Sequence, residues 1–94
     1  MASVYILYSK TIDRFYIGSC KDLDYRIDQH LNKELIGGFT SRANDWELFF
    51  NIDDLGYSQA RKIEMHIKSM KSRIYIQNLV EYPEIALKLI LKHQ

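Results

Sequence analysis

Cysteine occurs once, at position 20, so the chain can form no internal disulfide and cannot assemble a thiolate zinc site. The three histidines, His30, His66 and His93, lie far apart with no Cys or His partner at ligand spacing, which argues against structural zinc. Proline occurs once and glycine four times, too few for a low-complexity or collagen-like chain. No apolar run reaches the ~18 residues that a membrane span needs. The N-terminus carries no signal-peptide pattern, so no membrane association is expected and the cytoplasm is the expected address, in keeping with a lone thiol. The chain also lacks the strong basic excess that usually marks nucleic-acid binders: its formal net charge is only +1.

What is present reads as ordinary globular protein. The composition is 47% hydrophobic and 27% charged over 94 residues, which predicts one domain, 1–94, with a single core. Charge distribution says more than the total. Between Arg61 and Arg73 stand Arg61, Lys62, Lys68, Lys71 and Arg73 against one acid, Glu64, a local basic patch in a nearly neutral chain.

The patterning predicts an α+β fold, a three-stranded antiparallel sheet flanked by helices. Residues 3–8, SVYILY, alternate as a strand, with Val4, Ile6 and Tyr8 on one face and Tyr5 and Leu7 on the other. A second strand, 14–19, follows turn residues. A four-residue loop of Ser9 to Ile12 would pair Tyr8 with Asp13 and set Tyr5 directly opposite Tyr16. Asp22 can cap a helix running to Asn32, with Leu23, Ile27 and Leu31 as its buried stripe and Arg26 and His30 at its rim. Leu35 to Asp45, with its Gly37-Gly38 pair, reads as a loop. Trp46, Leu48, Phe50 and Ile52 predict an inward-facing third strand ended by Asp53, Asp54 and Gly56.

Ser58 is a suitable cap for a helix to about Ser72 whose apolar face is Ala60, Ile63, Ile67, Met70 and Ile74. Glu64 sits beside that face, with Arg61, Lys68 and Lys71 on its side of the helix. Tyr75, Leu79 and Tyr82 predict a short helix, and Pro83 opens another to Lys92, although LKLILK could equally be a strand.

The stretch Phe15 to His30, FYIGSCKDLDYRIDQH, organises the chain, and its residues carry a family likeness. Tyr16-Ile17-Gly18, an earlier Val4-Tyr5-Ile6 that keeps the tyrosine and lacks a leading glycine, Arg26 ten residues on, His30 four further, and Glu64 within an A-x-x-x-E resemble the GIY-YIG nuclease superfamily. The likeness covers roughly residues 3 to 80. It is similar to the small stand-alone members, and more distantly to the N-terminal nuclease domain of the excinuclease C subunit. Where some members carry a lysine three residues after the second tyrosine, this chain has Ser19, with Lys21 nearby. An asparagine often found beyond the glutamate helix has a loose counterpart in Asn78.

The resemblance implies a metal-dependent endonuclease acting on DNA, with a role in repair or recombination, and catalytic residues Tyr5, Tyr16, Arg26, His30 and Glu64. Glu64 would be the protein ligand to one divalent cation, Mg²⁺ or Mn²⁺, either of which tolerates a shell made mostly of waters and phosphate oxygens. Arg26 would fork onto the scissile phosphate, and Tyr16 would lie near the attacking water, with Tyr5 and His30 orienting them. Arg42, Arg61, Lys68 and Lys71 are the expected DNA contacts, and a partner protein could supply targeting, since no separate DNA-reading segment is visible. Each residue also has a structural reading: strand tyrosines pack, Glu64 and Lys68 form an i, i+4 pair, and Gly18 suits a bulge. A binding module that does not cut, or an interaction domain using the apolar tail, therefore stand as alternatives.

Overall fold

The structure, a computed structural model, describes residues 1–26, 43 and 45–94. Three strands, β1 (Ala2–Ser9), β2 (Arg14–Cys20) and β3 (Glu47–Leu55), form an antiparallel sheet in the order β2-β1-β3. The helices that follow are α1 (Tyr57–Met70), α2 (Arg73–Glu81) and α3 (Pro83–Lys92), and residues 23–26 form a helical turn after β2. The α+β architecture expected from the patterning is the one observed.

β1 is the middle strand and carries a buried cluster on each of its faces, which is why its run of apolar residues is almost uninterrupted. Val4 and Ile6 face the helices and join Ile52, Ala60, Ile63, Ile67, Ile76, Leu79 and Leu89 in an aliphatic core. Tyr5 and Leu7 face the other way, with Cys20, Ala43 and Trp46, and Tyr16 and Leu23 pack against them. Fully burying one such aliphatic side chain stabilises by about 1.5–3 kcal/mol.

The hairpin register differs from the expected one by two residues. Ser9 pairs with Arg14 and Tyr8 with Phe15, leaving residues 10–13 as the loop, and Tyr5 lies opposite Gly18 rather than Tyr16. Asp13 explains the shift, because it takes the left-handed conformation (φ 54°) that closes the loop one residue before Arg14. A slip of two preserves the alternation, so Tyr5 and Tyr16 still share a face, as diagonal neighbours.

β3 also departs from simple alternation. Ile6 pairs with Phe50 but Leu7 with Leu48, so Phe49 is an extra residue and the pleat reverses there. Trp46 and Phe50 consequently point to opposite faces, and Leu48 is 44% exposed instead of inward. A second irregularity, with Asp54 at φ 59°, lets the strand run on through Asp53 and Asp54 to Leu55.

At α1 the cap is Gly56, two residues before Ser58: its N–H donates to Gln59 Oε1 at 3.0 Å, and Ser58 lies inside the helix. The helix stops at Met70 because Lys71 turns left-handed (φ 47°), so Met70 and Ile74 are 43% and 69% exposed and do not extend the buried face. Ser72 then caps α2 through a hydrogen bond from the Tyr75 N–H. The LKLILK tail is helical, opened by Pro83 at its first position. No helix among the described residues is long and apolar enough to cross a membrane.

Candidate active site

Among the described residues β2 pairs on one side only, with β1, so its other edge is open. Residues of such a strand alternate between faces: Tyr16 and Gly18 lie with Tyr5, while Phe15, Ile17 and Ser19 look toward the helices. An edge strand can thus collect groups from both layers.

From the helix side comes Glu64. The buried stripe Ala60, Ile63 and Ile67 seats α1 on the sheet and leaves Glu64 at the margin, its side chain only 15% exposed. Ser19 Oγ donates a short hydrogen bond to Glu64 Oε1, and Lys68 Nζ lies 2.6 Å from Oε2. Lys68 also lines a shallow pocket with Phe15, Tyr16 and Ile17, so the carboxylate's partner reaches the second tyrosine's surroundings.

From the other face come the two phenols and the guanidinium. Tyr5 is 1% exposed and lies over Gly18, where an added Cβ would meet its hydroxyl oxygen at 2.5 Å and Cζ at 2.6 Å. The β1–β2 pairing is continuous there, so Gly18 serves the close approach of the Tyr5 ring and not a bulge. The Tyr5 and Tyr16 rings are 6.2 Å apart, and Trp46 sits edge-on to Tyr16 at 6.5 Å. Burial, and next the neighbouring Tyr16, push the Tyr5 hydroxyl well above its ordinary pKa; the Arg26 charge opposes this, and Cys20 and Glu64 add to it. One buried hydroxyl is thus within electrostatic reach of Tyr16, Arg26 and Glu64.

Asp22 caps the turn that carries Arg26, accepting the Tyr25 N–H at 3.1 Å, while its carbonyl accepts the Arg26 N–H at 3.1 Å. Arg26 therefore lines a pocket of about 230 Å³ with Ser19, Lys21, Tyr25 and Tyr57. Ser19 is the shared wall, its hydroxyl on Glu64 and its strand position beside Arg26.

The expected site residues Tyr5, Tyr16, Arg26 and Glu64 are gathered along β2, whereas His30 and Arg42 lie outside the described residues. Lys68 and Lys71 border this edge and Arg61 is exposed on α1. Sequence reasoning treated Ser19 only as the replacement for a lysine, and it overlooked Tyr57, over whose ring Lys21 Nζ sits at 5.1 Å. Their roles depend on contacts between residues 36 to 45 positions apart, which periodicity cannot reveal.

Among the described residues no three His, Cys, Asp or Glu side chains cluster for a metal. The donor set is one carboxylate that already attracts a cation, the Lys68 ammonium. This fits a hard divalent ion that keeps most of its shell as water or phosphate oxygen, and it does not fit zinc.

A family model described as the GIY-YIG catalytic domain matches residues 1–78, from the first strand into α2. Neither the curated proteins nor the solved structures return a match.

Proposed function

The chain belongs to the GIY-YIG family of nucleases, and on that premise we propose that it hydrolyses DNA phosphodiesters with the help of one divalent cation, Mg²⁺ or Mn²⁺, in repair or recombination. The observation that carries this reading is the convergence of Tyr16, Arg26 and Glu64 on the open edge of β2, with the Tyr5 hydroxyl within reach of all three side chains. A packing role alone would give no reason for a guanidinium and a carboxylate to approach a buried phenol.

Arg26 forks two hydrogen bonds onto the scissile phosphate and offsets the charge that builds on it. Tyr16, half-buried at the cleft, holds the attacking water and receives its proton or passes it on. Tyr5 has a different task. Its raised pKa keeps the proton on oxygen, so it serves as a fixed hydrogen-bond donor that orients its neighbours and not as a base. Glu64 would hold the cation, which when bound supplies positive charge to the phosphate and acidifies water. Ser19 fixes the carboxylate through Oε1, and Lys68, now paired with Oε2, balances its charge. His30 joins the set by resemblance. Specificity for a site on DNA comes from a partner or from the shape of the substrate, since base-edge readers are not part of this constellation.

Nicking of supercoiled plasmid with Mg²⁺ or Mn²⁺ tests the reading. The parent should nick, and Tyr16→Phe and Glu64→Ala, checked for folding by circular dichroism, should each lose about 10²–10⁴-fold. A parent that binds DNA but leaves the plasmid intact would make this a binding module instead.

A further inference from the structure

The open edge of β2 does not end at the candidate active site. Toward the start of the strand, a second pocket of about 200 Å³ opens between the hairpin and the junction of α1 and α2. Its floor is apolar, with Phe15, Ile17, Ile67 and Ile76, and its rim carries Arg14, Lys68, Lys71 and Arg73 against the single acid Asp13. Lys68, Phe15 and Ile17 belong both to this pocket and to the shallow one that contains Tyr16, so the two are continuous.

The rim cations are not equivalent. Arg73 is committed: it grips Asp13 with both terminal nitrogens, at 2.8 and 2.6 Å, and lies over the Phe15 ring at 5.5 Å. Asp13 also accepts the Tyr8 hydroxyl at 2.6 Å, so both its oxygens are engaged; the neighbouring Arg14 charge is near enough to feel it but forms no ion pair with it. Arg14 and Lys71 make no ion pair among the described residues, and both are exposed. Lys71 is held there by the left-handed turn that ends α1, a backbone conformation unusual for a lysine, and it lines the pocket rim.

Resting on the nuclease reading, we propose that this pocket is a flanking subsite in which Arg14 and Lys71 hold phosphates of the DNA strand beyond the scissile bond, so that the strand runs along the edge of β2. The dimensions agree. β2 has seven residues, a span of roughly 20 Å at about 3.3 Å per residue, comparable with the axial length of about six base pairs at ~3.4 Å each. Lys21 and Arg26 stand at one end of that span, Lys68 near its middle, and Arg14 and Lys71 at the other. This row, five of the chain's 13 Lys and Arg residues, would let a chain of net charge +1 bind a polyanion through one strand edge.

The test is the salt dependence of binding, read by fluorescence anisotropy of a labelled duplex with the Glu64→Gln chain so that nothing is cut. Each phosphate contact contributes about 0.9 to the slope of log K against log salt. Arg14→Gln with Lys71→Gln should lower that slope by about 2 and, in the otherwise unaltered chain, raise the KM for nicking while kcat stays within about twofold. Lys88→Gln with Lys92→Gln, on α3 and away from this edge, should change neither. An unchanged slope and affinity in the Arg14/Lys71 variant, with the parent still binding and nicking, would overturn the subsite and leave the nuclease reading standing. A parent that fails to bind DNA even at low salt would overturn both.

Discussion

The two faces of the sheet are built for different ends. On the helix side the core is aliphatic, a set of Val, Ile, Leu and Ala side chains drawn from β1, β3 and all three following helices, with no charged member. On the opposite side the buried cluster holds a tyrosine, a tryptophan and a cysteine, and a second tyrosine and an arginine look onto it. Non-directional burial suits the first, because any close-packed arrangement of similar volume would stabilise it. The second depends on where particular oxygen and nitrogen atoms point. The proposed site lies where the two meet, at the open edge of β2, with Glu64 anchored from one face and Tyr5, Tyr16 and Arg26 gathered on the other.

That contrast can be broken most sharply at Ile63, which precedes Glu64 and is fully buried on the helix side. Ile63→Ala should cost about 2–5 kcal/mol of stability in urea unfolding, from lost burial and the cavity left behind. The specific nicking rate of the folded protein should stay close to that of the parent. A smaller stability cost with a collapsed nicking rate would mean that the aliphatic face tunes the chemistry directly, and the division drawn above would fail.

Gly18 probes the other face. A methyl group there would press on the Tyr5 phenol, so Gly18→Ala should cost about 1–3 kcal/mol by overpacking. It should also depress nicking, because the hydroxyl at the centre of the site must move. In a Tyr5→Leu background, where the ring is gone, the stability cost of the same substitution should shrink markedly, and that non-additivity identifies the contact. Equal costs in both backgrounds would assign the glycine to some other constraint.

How much of this was legible beforehand follows from the range of the interactions. β1, β2 and the α1 stripe of Ala60, Ile63 and Ile67 are written in local periodicity, and the order of Tyr5, Tyr16, Arg26 and Glu64 carried the family likeness. What escaped was set by single backbone conformations. Asp13 at φ 54° moved the hairpin register by two, and the extra residue at Phe49 turned Leu48 outward. Neither residue type demands those conformations, and the contacts that stabilise them come from elsewhere: Arg73 grips Asp13 across 60 positions of sequence. Ser19 was visible as a residue, but its bond to Glu64 spans 45 positions and exists only once α1 is docked.

The mildest test separates the faces by pH. Asp45 secures the hairpin loop beside the aromatic cluster: it accepts the Ser9 hydroxyl at 2.5 Å and the Thr11 N–H and hydroxyl at 2.9 and 2.8 Å. Those bonds, the Ser9 one foremost, hold its pKa down at about 2. A carboxylate depressed in the folded state stabilises above its unfolded value of ~3.9, and that contribution is lost as the pH falls toward 2. On the helix side, His93 follows α3 with its Nε2 buried and unbonded among the described residues, and its ring is 5.8 Å from His66. Burial first, then the charges of His66, Lys92 and Lys62, lower its pKa. An imidazole kept neutral by the fold leaves stability level above ~6.5 and erodes it as the pH drops below, since the unfolded chain takes up the proton more readily. The parent should therefore lose stability in two windows, one opening below pH ~6.5 and one below ~4. His93→Leu should flatten the first; Asp45→Asn should shrink the second, to which Asp13, held low by Arg73 and Tyr8, also contributes, and each should leave the other window in place. If either substitution removed both windows, the two faces would be acting as one electrostatic unit, and the separation of packing from chemistry would have to be abandoned.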